Sequence, residues 1–346
     1  MSSEQTDPLK AAAAIERLLA AGHAALVVQA TAELGLADHL DDKPRDVQSL
    51  AQATATHIPS LARLLRALAA IGIVHETNDR RYSLTPLGAA LRTNGPGSMR
   101  ARARLYHDEW IARPWQALPH AVRTGELAFH SVFGTDQWTY LSRHPESSLV
   151  FDEAQRDMTQ GVNAAVMSSY PFGDFKSIVD VGGGIGSLLL PILERNPEMR
   201  GIILDLPHVA RRAQERIAAA GLTSRCEAVP GDALIAVPPG ADAYVLKSLL
   251  HGHDDENALA ILRKCRSAMP RHGKLIVIER ILPERVDAGD EKALGWFLSD
   301  LSMMLVSGAR ERTEREYQHL LAEADLRLNR AIPTRGPSSI MEAVPA

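Results

Sequence analysis

A glycine-rich turn behind a buried strand constrains the fold of this chain more than any other stretch. The strand is the β-branched run over 177–181, and glycines follow it at positions 182, 183, 184 and 186. We expect a helix to begin near Ser187. Because glycine has no side chain, the backbone of such a turn can approach a ligand closely, and helix-initial amides favour an anionic or carboxylate group. The stretch therefore predicts a site for a cofactor that contains a nucleoside.

Strands and helices alternate in the chain beyond this turn. We predict strands over 201–204, 226–230, 243–246, 274–279, 326–332 and 339–344, and helices over 208–220, 255–269, 291–307 and 313–324. Short links between alternating elements predict a parallel, doubly wound sheet whose site lies at the carboxyl ends of the strands. The fold class is therefore α/β, with a Rossmann-like domain over 171–346.

The first 105 residues are mostly helical and predict a separate domain. Residues 9–36 are rich in Ala and Leu, and residues 46–92 contain two helices followed by a small hairpin, which is a winged-helix-like arrangement. Helices this apolar bury themselves against the second half of the chain or against a second copy. We favour a homodimer made through roughly the first 120 residues, since exposed apolar patches of this kind mark interfaces.

The charge of the N-terminal region argues against a nucleic-acid partner. Residues 1–105 carry 12 Lys and Arg against 10 Asp and Glu, and the second winged-helix helix presents only Arg63 and Arg66. A DNA-binding domain usually carries a clear basic stripe, so a winged-helix regulator is the remote alternative.

Composition also indicates the compartment. The net charge of −4 gives no general attraction to anionic membranes, and no apolar run approaches the roughly 18 residues that a membrane span needs. The two cysteines, Cys226 and Cys265, are too few for a disulfide framework and lack metal-ligand spacing. We expect a cytoplasmic protein with no membrane partner.

Residues 106–170 form a predicted helical linker that contributes to a substrate pocket. Aromatic and methionine side chains suit a flat apolar ligand, although most such residues at helical spacing pack in a core. The candidate pocket residues are Trp110, Phe151, Met158, Trp296 and Met303.

Polar residues follow the strands next to the glycine turn. Asp205 ends the second strand, 19 residues beyond Gly186, where a carboxylate can accept both hydroxyls of a ribose. The alternative is a helix cap, but Pro207 already marks a helix start. Asp232 follows the third strand and suits an adenine amino group, or else forms a turn. Lys247 ends the fourth strand, within reach of a cofactor carboxylate.

Six motifs in order resemble the caffeic-acid-type O-methyltransferases, which include bacterial enzymes that tailor polyketides and phenazines. They are Val179-Asp-Val-Gly-Gly-Gly-Ile-Gly186, Leu204-Asp-Leu-Pro-His-Val209, Gly231-Asp232, Leu246-Lys-Ser-Leu-Leu-His251, Ile278-Glu279 and Glu311-Arg-Thr-Glu314. Each motif is weak alone, but the ordered set covers nearly the whole chain. An acid before Gly-x-Gly-x-Gly is also typical of S-adenosylmethionine sites.

The resemblance implies S-adenosylmethionine as cofactor, S-adenosylhomocysteine as product, and a homodimer whose winged helix no longer binds DNA. The implied cofactor-binding residues are Asp180, Gly182, Gly184, Asp205, Leu206, Gly231, Asp232, Ala233 and Lys247.

Methylation of a hydroxyl requires a base, and histidine suits that task near neutral pH. The resemblance assigns this role to His251, with Glu279 and Glu311 flanking it to orient the ring and raise its basicity. An ordinary loop histidine is the alternative.

One departure leaves the reaction type open. The family commonly has Leu-His-Asp-Trp where this chain has Leu250-His-Gly-His253. Methylation at nitrogen or carbon is an alternative, as is decarboxylation, hydroxylation or a pericyclic step on the same fold.

The run His251-Gly-His-Asp-Asp255 also has a spacing found in dinuclear zinc hydrolases. Glu256 stands where their third histidine would be, and the acids at 254–256 suit the start of a helix. We therefore expect no metal site.

Overall fold

The computed structural model describes residues 8–95, 97–287 and 289–346, apart from the side chains of Glu291 and Lys292. The chain divides into two compact units. One runs to Arg113 and includes Trp138–Asp157, and the other comprises Pro114–Gln137 and Met158–Ala346.

Residues 8–170 are mostly helical and include one two-stranded hairpin. The elements are α1 (Pro8–Glu33), α2 (Val47–Thr54), α3 (Ile58–Ala70), β1 (Val74–Glu76), β2 (Tyr82–Leu84), α4 (Pro86–Ala89), α5 (Arg100–Leu105), α6 (Glu109–Gln116), α7 (Leu118–Thr124), α8 (Ala128–Phe133), α9 (Gln137–Arg143) and α10 (Pro145–Ser169). The predicted helix pair and hairpin over 46–92 are confirmed. Leu61, Leu65 and Leu68 share the buried face of α3, because residues four and three apart lie on one side of a helix.

α1 exposes its apolar side chains. Leu9, Ile15, Leu18, Leu19 and Leu26 are between 47% and 80% exposed, so these side chains do not pack into the core of the first unit.

By length and composition α1 is also long and apolar enough to cross a membrane. The expectation that no segment reaches that length is therefore wrong by this measure. The reason is that Lys10, Glu16 and Arg17 lie near the start of the helix, and no charge follows until Glu33.

The C-terminal half contains the predicted alternation. Its elements are β3 (Ser177–Val181), α11 (Leu189–Arg195), β4 (Arg200–Asp205), α12 (Pro207–Ala219), β5 (Cys226–Pro230), β6 (Ala243–Lys247), α13 (Asp255–Ala268), β7 (Lys274–Glu279), β8 (Ile281–Leu282), α14 (Glu291–Val306), β9 (Arg312–Thr313), α15 (Glu314–Glu323), β10 (Leu326–Pro333) and β11 (Ser339–Pro345). Among the described residues, short 3-10 helices lie at Leu36–His39, Phe172–Asp174 and Leu250–Gly252. The helix after the glycine turn begins two residues later than predicted.

Seven of these strands form one sheet in the order β10-β11-β7-β6-β3-β4-β5. β3 to β7 are mutually parallel, which confirms the doubly wound prediction, while β11 runs antiparallel to both of its neighbours. β3 lies between β4 and β6, so the chain order reverses there and leaves a crevice at the carboxyl ends of the strands.

We predict that Gly88→Ala destabilises the protein. A Cβ at this position would lie 2.1 Å from the Ile73 carbonyl oxygen and 2.8 Å from Leu84 Cδ1, so the backbone must shift. Urea unfolding followed by circular dichroism should give an unfolding free energy lower by about 1–3 kcal/mol.

The matched control is Gly161→Ala, at an exposed position in α10 where a new Cβ has no atom within 4 Å. It should raise the unfolding free energy by about 0.5–1 kcal/mol, because alanine favours the helix. Equal stability of the two variants would contradict this account.

Candidate functional site

The glycine turn leads from β3 toward α11 and is hydrogen-bonded to the carboxyl end of β4. The amides of Gly182 and Gly183 donate to the Leu204 carbonyl at 2.8 and 3.3 Å. Gly182, Gly184 and Gly186 have φ of 67°, 59° and 79°, a region that side chains rarely adopt. No atom lies within 4 Å of a Cβ built at Gly184, so the turn presents open backbone on that side.

Asp205 stabilises the turn from the end of β4. Its Oδ2 accepts the Gly184 amide at 2.8 Å, and its Oδ1 accepts the Leu206 amide at 2.7 Å. The cap of α12 is Leu206 and Pro207 is its first residue, so Asp205 is not a helix cap.

The predicted residues after β5 lie next to Asp205. The Gly231 amide donates to the Asp205 carbonyl at 2.9 Å. Asp232 accepts the Leu234 amide at 2.9 Å through Oδ1. This bond is the turn role that the sequence analysis left as the alternative for Asp232. Ala233, between these two residues, is half-buried. One carboxylate oxygen of Asp232 is thus engaged by the turn itself.

Asp180 and Lys247 place opposite charges near the bottom of the crevice. Burial raises the pKa of Asp180 to about 7, Lys247 opposes this rise and Asp205 adds to it. Burial likewise lowers the pKa of Lys247, against the attraction of Asp180 and Glu279. Within the described part of the chain, no hydrogen bond or ion pair engages the Lys247 ammonium.

His251 lies in the 3-10 helix that follows β6, between two buried carboxylates. Its Nδ1 is 3.6 Å from Glu279 Oε2 and 3.5 Å from Glu311 Oε2. The imidazole is 24% exposed, whereas both carboxylates are 1% exposed. Burial alone would lower the pKa of His251, but Glu279 and Glu311 outweigh burial and raise it.

Glu279, at the end of β7, also organises the backbone around His251. Its Oε1 accepts the amides of Leu249, Leu250 and His251 at 2.9, 2.8 and 3.4 Å. Burial raises the pKa of Glu279, and the neighbouring Glu311 adds to the rise.

Glu311 has the opposite electrostatic environment. Burial disfavours its charge, but His251, Arg280 and Ser299 together lower its pKa. Arg280 Nη1 donates to Glu311 Oε1 at 2.8 Å, and Ser299 Oγ lies 3.3 Å from the same oxygen. When neighbours shift two carboxyl groups in opposite directions, the two take different roles. Glu311 therefore ionises more readily than Glu279.

Sequence reasoning missed Arg280, although it directly follows Glu279. Nothing in the local pattern indicated that its guanidinium reaches Glu311, because 31 residues separate them.

The two acids of the zinc-like spacing are engaged elsewhere. Asp254 caps α13 through the Asn257 amide at 2.8 Å, and Asp255 pairs with Arg312 at 2.7 Å. A different trio, His251, Glu279 and Glu311, has donor atoms within 4.8 Å of one another, and the cation beside it is Arg280.

The predicted pocket residues belong to both units. In the first, Trp110 is 2% exposed and packs edge-on against Phe151, with ring centroids 5.5 Å apart. In the second, Met158, Trp296 and Met303 are half-buried. Trp296 lines a cleft of about 390 Å³ beside Glu284 and Glu314, and His251 is not part of that lining.

Comparison with known proteins identifies two family matches. An O-methyltransferase domain matches residues 115–327, and an O-methyltransferase dimerisation domain matches residues 15–94. The chain is 45% identical to the phenazine O-methyltransferase PhzM of Lysobacter antibioticus, over 91% of this chain and 90% of that protein.

Two solved structures share the fold over most of their length. CalO1, a methyltransferase in calicheamicin biosynthesis solved with S-adenosylhomocysteine, has a TM-score of 0.88 and 33% identity over 99% of this chain and all of that one. NcsB1, an O-methyltransferase solved with S-adenosylmethionine and 2-hydroxy-5-methyl naphthoic acid, has a TM-score of 0.76 and 31% identity, covering 93% and 96%.

We predict that Asp180→Asn gains stability relative to the wild type as pH rises. The folded-state pKa of Asp180 is about 7 against 3.8 when unfolded, so the folded wild type binds more protons between these values and loses stability as pH increases toward 7. The amide does not titrate, so unfolding free energies from urea melts should diverge from pH 5 to pH 8.

Asp46→Asn is the control, because hydrogen bonding to the Ser49 amide lowers the pKa of that carboxyl. Its difference from wild type should stay constant over this pH range. A constant difference for Asp180→Asn as well would contradict the assignment.

Proposed function

Because the chain belongs to the O-methyltransferase family with an N-terminal dimerisation domain, we propose that His251 is the base that accepts the hydroxyl proton of a flat aromatic small molecule. The protein is an S-adenosylmethionine-dependent O-methyltransferase. The observation that carries the proposal for His251 is its imidazole, held 3.5 and 3.6 Å from two buried carboxylates at the carboxyl edge of the sheet.

The turn and its neighbours fit the cofactor. Gly182 and Gly184 hold a backbone that only glycine adopts readily, and the face of Gly184 is open. We assign the sugar hydroxyls to Asp205, which keeps free lone pairs on both oxygens, and the adenine edge to Asp232 with Leu206, Gly231 and Ala233 beside it. Lys247 suits the methionyl carboxylate, since its side chain is half-buried and its ammonium has no partner in the described residues. We also place Asp180, near the end of β3 and just before the turn, beside the cofactor.

S-adenosylmethionine, when bound, supplies an electrophilic methyl group and leaves as S-adenosylhomocysteine. Nδ1 of His251 faces the carboxylates, so the ring keeps its proton on Nδ1 and offers Nε2 to the substrate hydroxyl. When Nε2 takes that proton, the ionised Glu311 stabilises the imidazolium. Glu279 fixes the backbone of the loop that carries the ring.

The relatives support an aromatic hydroxyl as the acceptor. One is named for a phenazine and another is solved with a hydroxylated naphthoic acid. We propose that Met158, Trp296 and Met303, which are half-buried in the second unit, contribute apolar surface for such a molecule, whereas Trp110 is 2% exposed and packs inside the first unit.

We further propose that residues 1–105 form the dimerisation domain, 106–170 a helical linker and 171–346 the catalytic domain. The dimerisation match over 15–94 and the exposed leucines of α1 support a homodimer through the N-terminal domain. Free, buried thiols at Cys226 and Cys265 support a reducing, cytoplasmic location.

The departure from the family motif at Gly252-His253 concerns which substrate atom accepts the methyl group rather than the fold. A Cβ at Gly252 has no atom within 4 Å, so packing does not require glycine there. The mass of the product separates the possibilities, because O-methylation adds one methyl group whereas decarboxylation removes carbon dioxide. Chemical shifts of the new methyl distinguish oxygen from nitrogen or carbon.

We predict that His251→Ala abolishes most methyl transfer while leaving cofactor binding intact. Positioned general bases contribute about 100- to 10,000-fold to a rate, so turnover of hydroxylated naphthoates or phenazines should fall by that range. Calorimetry should give wild-type affinity for S-adenosylmethionine. The control is His272→Ala, which should keep full activity. His272 is exposed and precedes β7, at the amino end of the strands. Full activity of His251→Ala would assign the base elsewhere.

We predict that Glu311→Gln moves the acid limb of the pH profile to lower pH. In the wild type the carboxylates raise the pKa of His251 above 6.5, so kcat/KM rises with pH through that raised value as the base deprotonates. Removing one of the two negative charges lowers the pKa of His251, and the plateau rate falls because the imidazolium loses a partner. Glu323→Gln, on the exposed end of α15, should leave the profile unchanged. An unshifted limb in Glu311→Gln would exclude Glu311 as the partner of His251.

A further inference from the structure

We propose that Arg312 is a positioning residue for His251, because it holds the loop that carries the imidazole from both sides. This inference rests on the proposed role of His251 as the base. Arg312 belongs to a motif that the resemblance included without assigning it a task.

The guanidinium of Arg312 bonds the backbone on either side of His251. Nη1 donates to the Leu250 carbonyl and Nη2 donates to the His253 carbonyl, each at 2.9 Å. The side chain is fully buried. A planar guanidinium can reach two carbonyls in fixed directions at once, whereas an ammonium on a flexible stem cannot fix that angle.

Asp255 supplies the charge that makes this burial possible. Its Oδ1 accepts Arg312 Nε at 2.9 Å and Nη2 at 2.7 Å. A buried cation without a partner is strongly unfavourable, so the pair keeps the guanidinium charged and in place. Asp255 also begins α13, which ties the loop to that helix.

Two buried groups of opposite charge thereby orient the same turn. Glu279 accepts amides from Leu249 to His251, while Arg312 donates to carbonyls of Leu250 and His253. The peptide groups of the loop are thus fixed at both their donor and acceptor ends. Little freedom remains for the imidazole to leave the two carboxylates.

Three consecutive residues combine these contacts. The Arg310 amide donates to the His251 carbonyl at 3.1 Å, Glu311 contacts the ring, and Arg312 holds the flanking carbonyls. In addition, Arg312 pairs with Ile281 in the β8–β9 ladder, two residues beyond Glu279. The β8–β9 pair therefore fixes Glu279, Glu311 and the loop of His251 relative to one another.

The test compares Arg312→Met and Arg312→Lys with the neighbouring control Arg315→Met. The Arg315 side chain is exposed on α15 and has no hydrogen bond or ion pair to the His251 loop within the described residues, so its replacement should leave turnover at the wild-type level. Misplacement of a reacting group by about 1 Å costs up to about 100-fold, so we expect kcat of Arg312→Met to fall by about 10- to 100-fold. Arg312→Lys should lie between the two, and affinity for S-adenosylmethionine by calorimetry should match wild type in all three.

A second readout does not depend on activity. The His251 ring, labelled with ¹³C and ¹⁵N and assigned with a His251→Asn variant, reports its own titration by NMR. Release of the loop from the carboxylates should lower the pKa of His251 toward 6.5 in Arg312→Met and leave it raised in Arg315→Met. Guanidinium at sub-denaturing concentration should partly restore kcat to Arg312→Ala.

A wild-type titration and kcat in Arg312→Met would overturn the proposal. So would parallel losses of cofactor affinity and turnover that guanidinium does not rescue, since these indicate a general structural role. Full activity of His251→Ala would instead contradict the proposed role of His251 as the base. The NMR titration would still show whether Arg312 affects the pKa of the His251 ring.

Discussion

The burial of two carboxylates next to one imidazole is the constraint on which this site depends. Glu279 and Glu311 are each 1% exposed, and two like charges at that depth are unfavourable unless each is compensated. Backbone amides compensate Glu279 and the guanidinium of Arg280 compensates Glu311. The compensation differs in kind, so their pKa values move apart, and Glu279 also fixes the backbone of the loop that carries His251.

The parallel sheet explains why these groups meet. The registers of β3 with β4 and of β6 with β7 bring the ends of four strands to one edge. Asp205 ties the glycine turn to β4, and the neighbouring strand ends carry Lys247 and Glu279. Lys247 lies within electrostatic reach of both Asp180 and Glu279, so the ammonium interacts with carboxyl groups near the ends of β3 and β7.

The N-terminal region follows a different physical rule. Its core packs around the buried faces of α3 and the hairpin, yet α1 leaves large apolar side chains exposed. Exposed apolar surface of this extent is unfavourable in water, and the dimerisation match over 15–94 provides the natural explanation.

The sequence by itself determined the elements and the identity of the family. Glycine positions, β-branched runs and helical spacing predicted most strands and helices within one or two residues, and the ordered motifs named His251, Glu279 and Glu311, because both signals are local in the chain. Only the tertiary structure decided that β11 runs antiparallel to β7, that Arg280 forms an ion pair with Glu311, and that Arg312 donates hydrogen bonds to the loop of His251. Those contacts join residues 31 and more positions apart, and in a buried site the direction of a pKa shift depends on such partners rather than on sequence neighbours.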